Sequence, residues 1–386
     1  MTRPEPFDAR RVAIAAMIRI DTDRGYANVV VPRLLAESEL DSRDRGFVTE
    51  LVYGATRRRR ALDHLVAPFL VRDPPPAARA ALRLGTYQLV ELGTPRHAAV
   101  SATVGAAPKR YRGLVNAVLR RVADRLDSEI EWPNDATELS YPDWIVDRLR
   151  HDLGTDDANS ALVAMNQRGV VHRRADGYIQ DVSSQLVTAS LPIERGDLAV
   201  DLCAAPGGKA SAMAARGASV IAVELQRSRA GLIAENRETL GLDDLHIVVA
   251  DGTSAPLRRG LADVVLVDAP CSGLGALRRR PDARWRVVED DIVRLVELQG
   301  RLLVAASGLV APGGTLAYSV CTLTTAETIG VADRVELAGF EPVSLGEPWR
   351  PHGSGGLLLP DEESDGMALF IWRGAGSKSL GSGHGP

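Results

Sequence analysis

The sequence is poor in cysteine, with three in 386 residues: Cys203, Cys271 and Cys321. An odd count without a CxxC pair argues against a disulfide framework and against the common zinc-binding spacings, and leaves the thiols reduced and available. No stretch approaches the roughly 18 uninterrupted apolar residues of a membrane span. The opening MTRPEPFDARR lacks the apolar core of a secretory signal. The expected compartment is the cytoplasm, with no membrane partner and no metal. Tryptophan is absent before Trp132, and a strong net charge is also missing, at −4 overall. That small total hides an asymmetry: residues 1–126 hold 22 Lys+Arg and 13 Asp+Glu, an excess of +9, which leaves −13 for the remainder. One half is suited to face a polyanion.

What is present, at 45% hydrophobic and 25% charged residues, is enough chain for two or three globular domains. From about Arg10 to Leu126, apolar residues recur at helical spacing, as in VAIAAMIRI, FVTELVYGATRRRRALDHLVAPFL and GLVNAVLRRVADRL. Pro74-Pro75-Pro76 and Thr94-Pro95 punctuate them. This pattern predicts an all-helical bundle over residues 1–128. The polar, proline-bearing stretch EIEWPNDATEL opens a linker region, 129–180, that also holds helical stretches near Asp143–His151 and Asp157–Asn166.

After Gly196 short apolar runs (LAVDLC, SVIAVE, LHIVVA, DVVLVDA, GTLAYSV) alternate with helical segments. That rhythm predicts a parallel sheet covered by helices, an α/β domain over 181–374. FEPVSL and DGMALFIWR can supply a closing hairpin, and the tail over 375–386 is expected to be disordered.

The chemistry-bearing residues collect where those apolar runs end. In DLCAAPGGKA, the acid Asp201 is followed by small residues, a proline and two glycines that let a ligand approach the backbone. The loop is not a nucleotide P-loop, because Gly-Gly-Lys is followed by Ala210 and no hydroxyl is left for magnesium. Glu224 lies about 20 residues further on, where an acid can accept hydrogen bonds from a ribose diol. Asp251 closes HIVVAD and can receive an adenine amino group; Asp268 closes VVLVD. In DAPCSGLGALRRRPDARW a cysteine follows that acid, and in YSVCT a second cysteine ends the next run. Bland readings stand beside each: a tight turn for the glycines, a helix cap for Glu224, an inert buried thiol for either cysteine. Two cysteines just past strands on the ligand edge of one sheet favour a functional pair.

Taken together, DLCAAPGGK, VDAPCSGLGALRRRPDARW and YSVCT resemble the RNA cytosine-C5 methyltransferases, in particular the bacterial 16S rRNA enzymes of the RsmB (Sun/Fmu) type. ELVYGATRRRRALD, RLGTYQLVELGTPRHAAV and RGLVNAVLRRV are similar to the NusB-like RNA-binding domain such enzymes carry. The resemblance implies a Rossmann-like class I methyltransferase domain that uses S-adenosylmethionine. It makes Cys321 the nucleophile and Cys271 the residue that helps release product, with Asp268 on the cytosine edge. Cys203, Ala204, Ala205, Pro206, Gly207, Gly208, Lys209, Glu224, Asp251 and Asp268 would surround the cofactor. GLLLP and DGMALF match endings of the same family.

There are two departures. Glu327 stands where the family has an acidic residue, but Thr328 replaces the asparagine that usually follows. Only VVHRRAD, residues 170–176, separates MNQRG from GYIQDVSSQ, where the family has a small RNA-binding subdomain.

The expected RNA contacts are arginines and a lysine. In the first domain these are Arg57, Arg58, Arg59, Arg60, Lys109, Arg110, Arg112, Arg120 and Arg121; beside the cleft they are Arg278, Arg279, Arg280, Arg284 and Arg286. The alternatives are a non-catalytic RNA-binding, antitermination-like factor on a retained scaffold, and a DNA cytosine methyltransferase with the Pro-Cys thiol as nucleophile. Protein partners cannot be read from the sequence.

Overall fold

The computed structural model describes residues 8–23 and 25–376. Residues 377–386 of the expected disordered tail lie outside the described residues. The chain divides into two compact units: one comprises the described residues up to Asp147 together with Leu277–Arg286, the other Arg148–Ala276 and the described residues from Val287 onward.

The first unit is helical, as its periodicity predicts: α1 (Ala9–Thr22), α2 (Ala27–Ala36), α3 (Ser42–Arg57), α4 (Arg59–Val66), α5 (Pro76–Val90), α6 (Arg96–Ala106), α7 (Arg112–Arg125) and the single turn α8 (Asp135–Glu138). Local chemistry sets several starts. The Asp8 and Asp41 side chains accept amides of the first turns of α1 and α3, and proline opens α5. Ala13, Met17, Leu51, Val52, Leu84 and Leu119 meet in the core.

Arg83 is buried there, its guanidinium held by both Asp63 oxygens at 2.7 Å and by Asp21 at 2.6 Å. Removing one member of such a cluster strands the others. Arg83→Ala is expected to cost about 3 kcal/mol of stability, read as a lower midpoint in urea unfolding.

Residues 277–286 belong to this unit. Arg284 lies 3.9 Å from the Tyr141 ring centre and donates to the carbonyls of Arg57 (3.2 Å) and Ser140 (3.1 Å). Arg57 in turn donates to the Arg278 carbonyl at 3.1 Å, and the Trp285 indole to the Thr56 carbonyl at 2.7 Å.

This corrects the expected RNA contacts. Arg57, Arg278 and Arg284 are 5%, 1% and 0% exposed, so none can reach a phosphate. Arg58 is taken by Glu91 and the Glu138 carbonyl, Arg59 lies on the Trp285 ring, and Arg60 binds the Tyr141 carbonyl and Asp143. The reason is the break between α3 and α4 at Arg58, whose backbone leaves the helical region; the run turns inward instead of covering one solvated face. Lys109, Arg110, Arg120 and Arg121 are exposed.

Helix α9 covers Asp143–Leu153. The second unit adds α10 (Thr155–Ala164), α11 (Val182–Ala189), α12 (Gly208–Ala215), α13 (Arg227–Leu240), α14 (Glu289–Ser307) and α15 (Ile329–Arg334). Its strands are β1 (Leu198–Asp201), β2 (Ser219–Glu224), β3 (Leu245–Val249), β4 (Ala262–Asp268), β5 (Val310–Val320), β6 (Phe340–Pro342), β7 (Arg350–His352), β8 (Gly355–Leu358) and β9 (Met367–Gly374). They form one sheet in the order β3-β2-β1-β4-β5-β9-β8-β7, with β6 also on β9. The first five strands are parallel, and Val264 to Val267 of β4 are all buried, as in a sheet covered on both faces. The sheet is mixed rather than purely parallel, because β9 pairs antiparallel with β5, β6 and β8. FEPVSL and DGMALFIWR thus pair as expected, while the β7–β8 hairpin was not anticipated.

The shortened segment is a tight hairpin. Gln180 donates to the His172 carbonyl at 3.1 Å and Arg174 to the Tyr178 carbonyl at 2.9 Å, around Gly177 at φ +86°.

Candidate active site

Parallel strands deliver their carboxyl ends to one edge, and the loops that follow carry groups the sheet does not use. Asp201, Glu224 and Asp268 are the last residues of β1, β2 and β4. Asp251 is not a strand end. Strand β3 stops at Val249, and Asp251 caps a turn of 3-10 helix, accepting the Thr253 amide and hydroxyl at 2.8 Å.

The loop Cys203–Lys209 turns β1 into α12. Gly207 has φ +107°, a conformation that side chains disfavour, and a Cβ there would stand 3.3 Å from Ile233. Carbonyls of the loop are tied down by α13: Arg229 donates to Ala205 at 2.9 Å and Asn236 to Pro206 at 2.7 Å. From the short hairpin, Arg174 donates to the Gly208 carbonyl at 2.6 Å and to the Ser211 hydroxyl at 3.0 Å. Glu224 is buried and spends one oxygen on the Gln226 amide at 2.9 Å.

Asp201 is the acid whose environment is least satisfied. It is buried, and Oδ2 has no hydrogen-bond partner among the described residues. Burial, then the charge of Asp268, pushes its pKa up to about 7. Burial and the Asp201 charge also push the Cys203 thiol well above its usual range, so it remains protonated and a poor nucleophile.

Between β4 and β5 the register sets Asp268 opposite Ser319. One Asp268 oxygen accepts the Ser319 hydroxyl at 2.7 Å, the other the Lys209 ammonium at 2.7 Å. Burial works against the Lys209 charge, but Asp268 in contact, with Cys321 and Asp201 nearby, more than offsets it, and the pKa is raised. Lys209 is therefore a charged group in the cleft rather than only a part of the cofactor loop.

The Cys271 and Cys321 sulfurs stand 3.3 Å apart, and both residues are partly exposed. The hydrogen bond to Cys321, then burial, holds the Cys271 thiol protonated well above its usual range. Either sulfur can donate to the other at that distance, and the direction of the Cys271 shift favours Cys271 keeping its proton. The Gly275 amide donates to the Cys321 carbonyl at 3.0 Å, and a Cβ on Gly275 would meet the Gly366 carbonyl oxygen at 2.6 Å; glycine is needed for that approach.

Three features were not read from the sequence. Ser319 could have been, because it lies two residues before Cys321 at the end of the same apolar run. The unpartnered oxygen of Asp201 and the hydrogen-bond role of Glu327 could not. Chemically, the cleft offers two cysteine sulfurs in contact and a carboxylate–ammonium pair beside a glycine loop. Among the described residues no cluster of His, Cys, Asp and Glu has the form of a metal site, and no helix is long and apolar enough to cross a membrane.

Residues 188–338 match the family model for 16S rRNA methyltransferase RsmB/F, and residues 8–124 match that of the NusB family. The chain is 36% identical over 392 residues to ribosomal RNA small subunit methyltransferase B of Thermus thermophilus, covering 93% of this chain and 96% of that protein. It is 37% identical to Rv1407 of Mycobacterium tuberculosis, a protein named as a methyltransferase, with 91% of this chain and 93% of that protein covered. That alignment runs over 434 residues, more than the 386 here, so Rv1407 holds residues this chain lacks. The fold is shared with the crystal structure of PH0851, at a TM-score of 0.76 and 21% identity, covering 96% of this chain and all of that one. The chain belongs to the 16S rRNA methyltransferase RsmB/F family, S-adenosylmethionine-dependent enzymes, and carries a NusB-family helical domain ahead of its Rossmann-like methyltransferase domain.

Proposed function

We propose that this chain methylates C5 of a cytosine in 16S rRNA, in the cytoplasm, through a covalent bond between Cys321 and C6 of the base. The observation that carries the reading is the pair of sulfurs 3.3 Å apart, in the loops after β4 and β5, on the same sheet edge as the Lys209–Asp268 pair. On this reading residues 1–128 are the NusB-like RNA-binding domain, 129–180 the linker with its shortened RNA-binding segment, 181–374 the catalytic domain and 375–386 a tail. Exposed Lys109, Arg110, Arg120 and Arg121 would meet phosphates, giving binding that weakens steeply with salt. A scaffold without catalysis would need neither cysteine.

The cleft suits S-adenosylmethionine. The unpartnered Asp201 oxygen wants a cationic or N–H donor, and Leu225 and Val249, exposed beside the ends of β2 and β3, offer apolar surface for a purine. Cys203 to Lys209, Glu224 and Asp251 would complete the binding site. When bound, the cofactor supplies an electrophilic methyl group on a sulfonium.

Cytosine C5 is too weak a nucleophile to take that methyl unaided. Addition of the Cys321 thiolate at C6 makes C5 enamine-like, which splits one difficult step into easier ones. Asp268 has acceptor capacity left for the 4-amino group; uracil offers an oxygen there and would be repelled. Lys209 places positive charge near the anion that develops in the ring. After C5 takes the methyl, a water held beside Cys271, or Cys271 once it has given up its own proton, takes the C5 proton; the C–H electrons re-form the C5–C6 double bond and the C6–S bond breaks to release Cys321 as thiolate. The target base must leave any stack to reach the cleft, which favours an unpaired cytosine. Incubation with protein-free small-subunit rRNA and labelled S-adenosylmethionine tests the reading: labelled 5-methylcytosine supports it, and label on another atom or base refutes it.

A pH dependence follows. Cofactor binding needs Asp201 ionised, and its pKa of about 7 in the free protein leaves most of it protonated at pH 6. Affinity is expected to rise roughly eightfold from pH 6 to 7.5, measured by calorimetry, and Asp201→Asn is expected to bind weakly with no such rise. The same raised pKa means that the free protein gains stability below the unfolded value and loses it as pH climbs through 7.

A further inference from the structure

Glu327 is wholly buried, and among the described residues no cationic side chain contacts it. Instead its carboxylate stands within 3.2 Å of five donor atoms. Oε1 accepts the Ser272 amide at 2.8 Å and the Gln299 side chain at 3.2 Å; Oε2 accepts the hydroxyls of Ser272 (2.5 Å), Thr322 (3.1 Å) and Thr324 (2.9 Å). Ser272 directly follows Cys271, and Thr322 directly follows Cys321. These two hydroxyls also meet each other at 2.8 Å, and with one hydrogen apiece one of them donates to the other, which leaves four hydrogens for the carboxylate. Gln299 adds a second tie, donating to the Pro270 carbonyl at 2.9 Å, while its own oxygen has no partner among the described residues. Its amide is therefore oriented by Pro270 and Glu327, since turning it over would set oxygen against oxygen. The Glu327 backbone is fixed as well, by the Tyr318 hydroxyl at 2.7 Å.

We propose that Glu327 is a positioning residue for the reaction: a buried carboxylate that clamps the Cys271 loop to the Cys321 loop and keeps the Cys271 thiol aimed at Cys321 as its donor. The assignment rests on Cys321 being the nucleophile. A buried anion fully provided with hydrogen bonds is rigid, and one lost donor costs more than in water, so the clamp fixes the spacing of two loops 50 residues apart in sequence. Its charge lies near Cys271 and works in the same direction, disfavouring a second anion there. Thr328, in the place of the family's asparagine, supports the arrangement by donating to the Thr324 carbonyl at 2.7 Å.

The test uses the full chain as wild type, Glu327→Gln and Thr324→Val, with two readouts. The first is alkylation by iodoacetamide without RNA or cofactor, with labelled cysteines ranked by peptide mass spectrometry. The second is kcat and KM for methyl transfer. Wild type is expected to label at Cys321 ahead of Cys271. In Glu327→Gln that ratio should fall at least about fivefold and kcat about tenfold or more, with both KM values within about threefold of wild type. Thr324→Val, which removes one donor and keeps the shape, should move both readouts the same way by less. An unchanged labelling ratio in Glu327→Gln overturns the proposal, as does a raised KM with kcat intact. If Glu327→Gln does not fold, Thr324→Val decides alone. If wild type transfers no methyl group, the methylation reading fails and the labelling arm still decides the clamp.

Discussion

Cys321→Ala is expected to lose methyl transfer by at least about a thousandfold, ~4 kcal/mol in the barrier, while still binding RNA and cofactor. Without a thiolate at C6, C5 of the base has no means of becoming nucleophilic. Cys271→Ala should fail differently. Its loss removes the donor that sits 3.3 Å from Cys321, so addition and methylation proceed but elimination slows, and a protein–RNA adduct that survives denaturing gel electrophoresis should accumulate. The two variants each delete one thiol from the same cleft, so with both shown to be folded by circular dichroism, the contrast between no adduct and trapped adduct reports role rather than damage. If Cys271→Ala abolishes the adduct and Cys321→Ala does not, the roles are reversed.

Asp268→Ala is expected to have the second large effect, on two quantities at once. Its oxygens hold Lys209 and Ser319, each at 2.7 Å, so its removal takes away the acceptor for the cytosine amino group and leaves a buried ammonium without its partner. Activity should fall by about 10²–10³. Stability should fall by about 3 kcal/mol, because an uncompensated buried charge remains. Lys209→Met should lose comparable activity at a smaller stability cost: Asp268 is 32% exposed on its side chain, against 7% for Lys209, and water can solvate what is left. Equal stability losses in the two variants would show that the pair is not asymmetric in the way its burial implies.

Much of this was legible because it was local. Helical spacing gave the bundle, and apolar runs ending in Asp201, Glu224 and Asp268 gave the sheet and its functional edge. What escaped was decided between segments distant in sequence. A run of four arginines, Arg57 to Arg60, looks like a solvated face; that Arg57 is buried depends on Arg278 and Arg284, more than 200 residues away. Glu327 looks like one acid among many until the fold brings Ser272 to it. The β7–β8 hairpin is short and glycine-rich, and β9 alone makes it part of the sheet. Asp251 follows an apolar run, yet the strand ends two residues earlier and the carboxylate turns to cap the loop.

The most direct test is to find which sulfur bonds to the base. Small-subunit rRNA carrying 5-fluorocytosine has no C5 proton to lose, so an adduct that accepts the methyl group cannot be released. Incubation with wild-type protein and S-adenosylmethionine, nuclease and protease digestion, and mass spectrometry of the cross-linked peptide should place a methylated fluorocytosine on Cys321. A cross-link at Cys271, or methylated fluorocytosine with no protein attached, would contradict the mechanism.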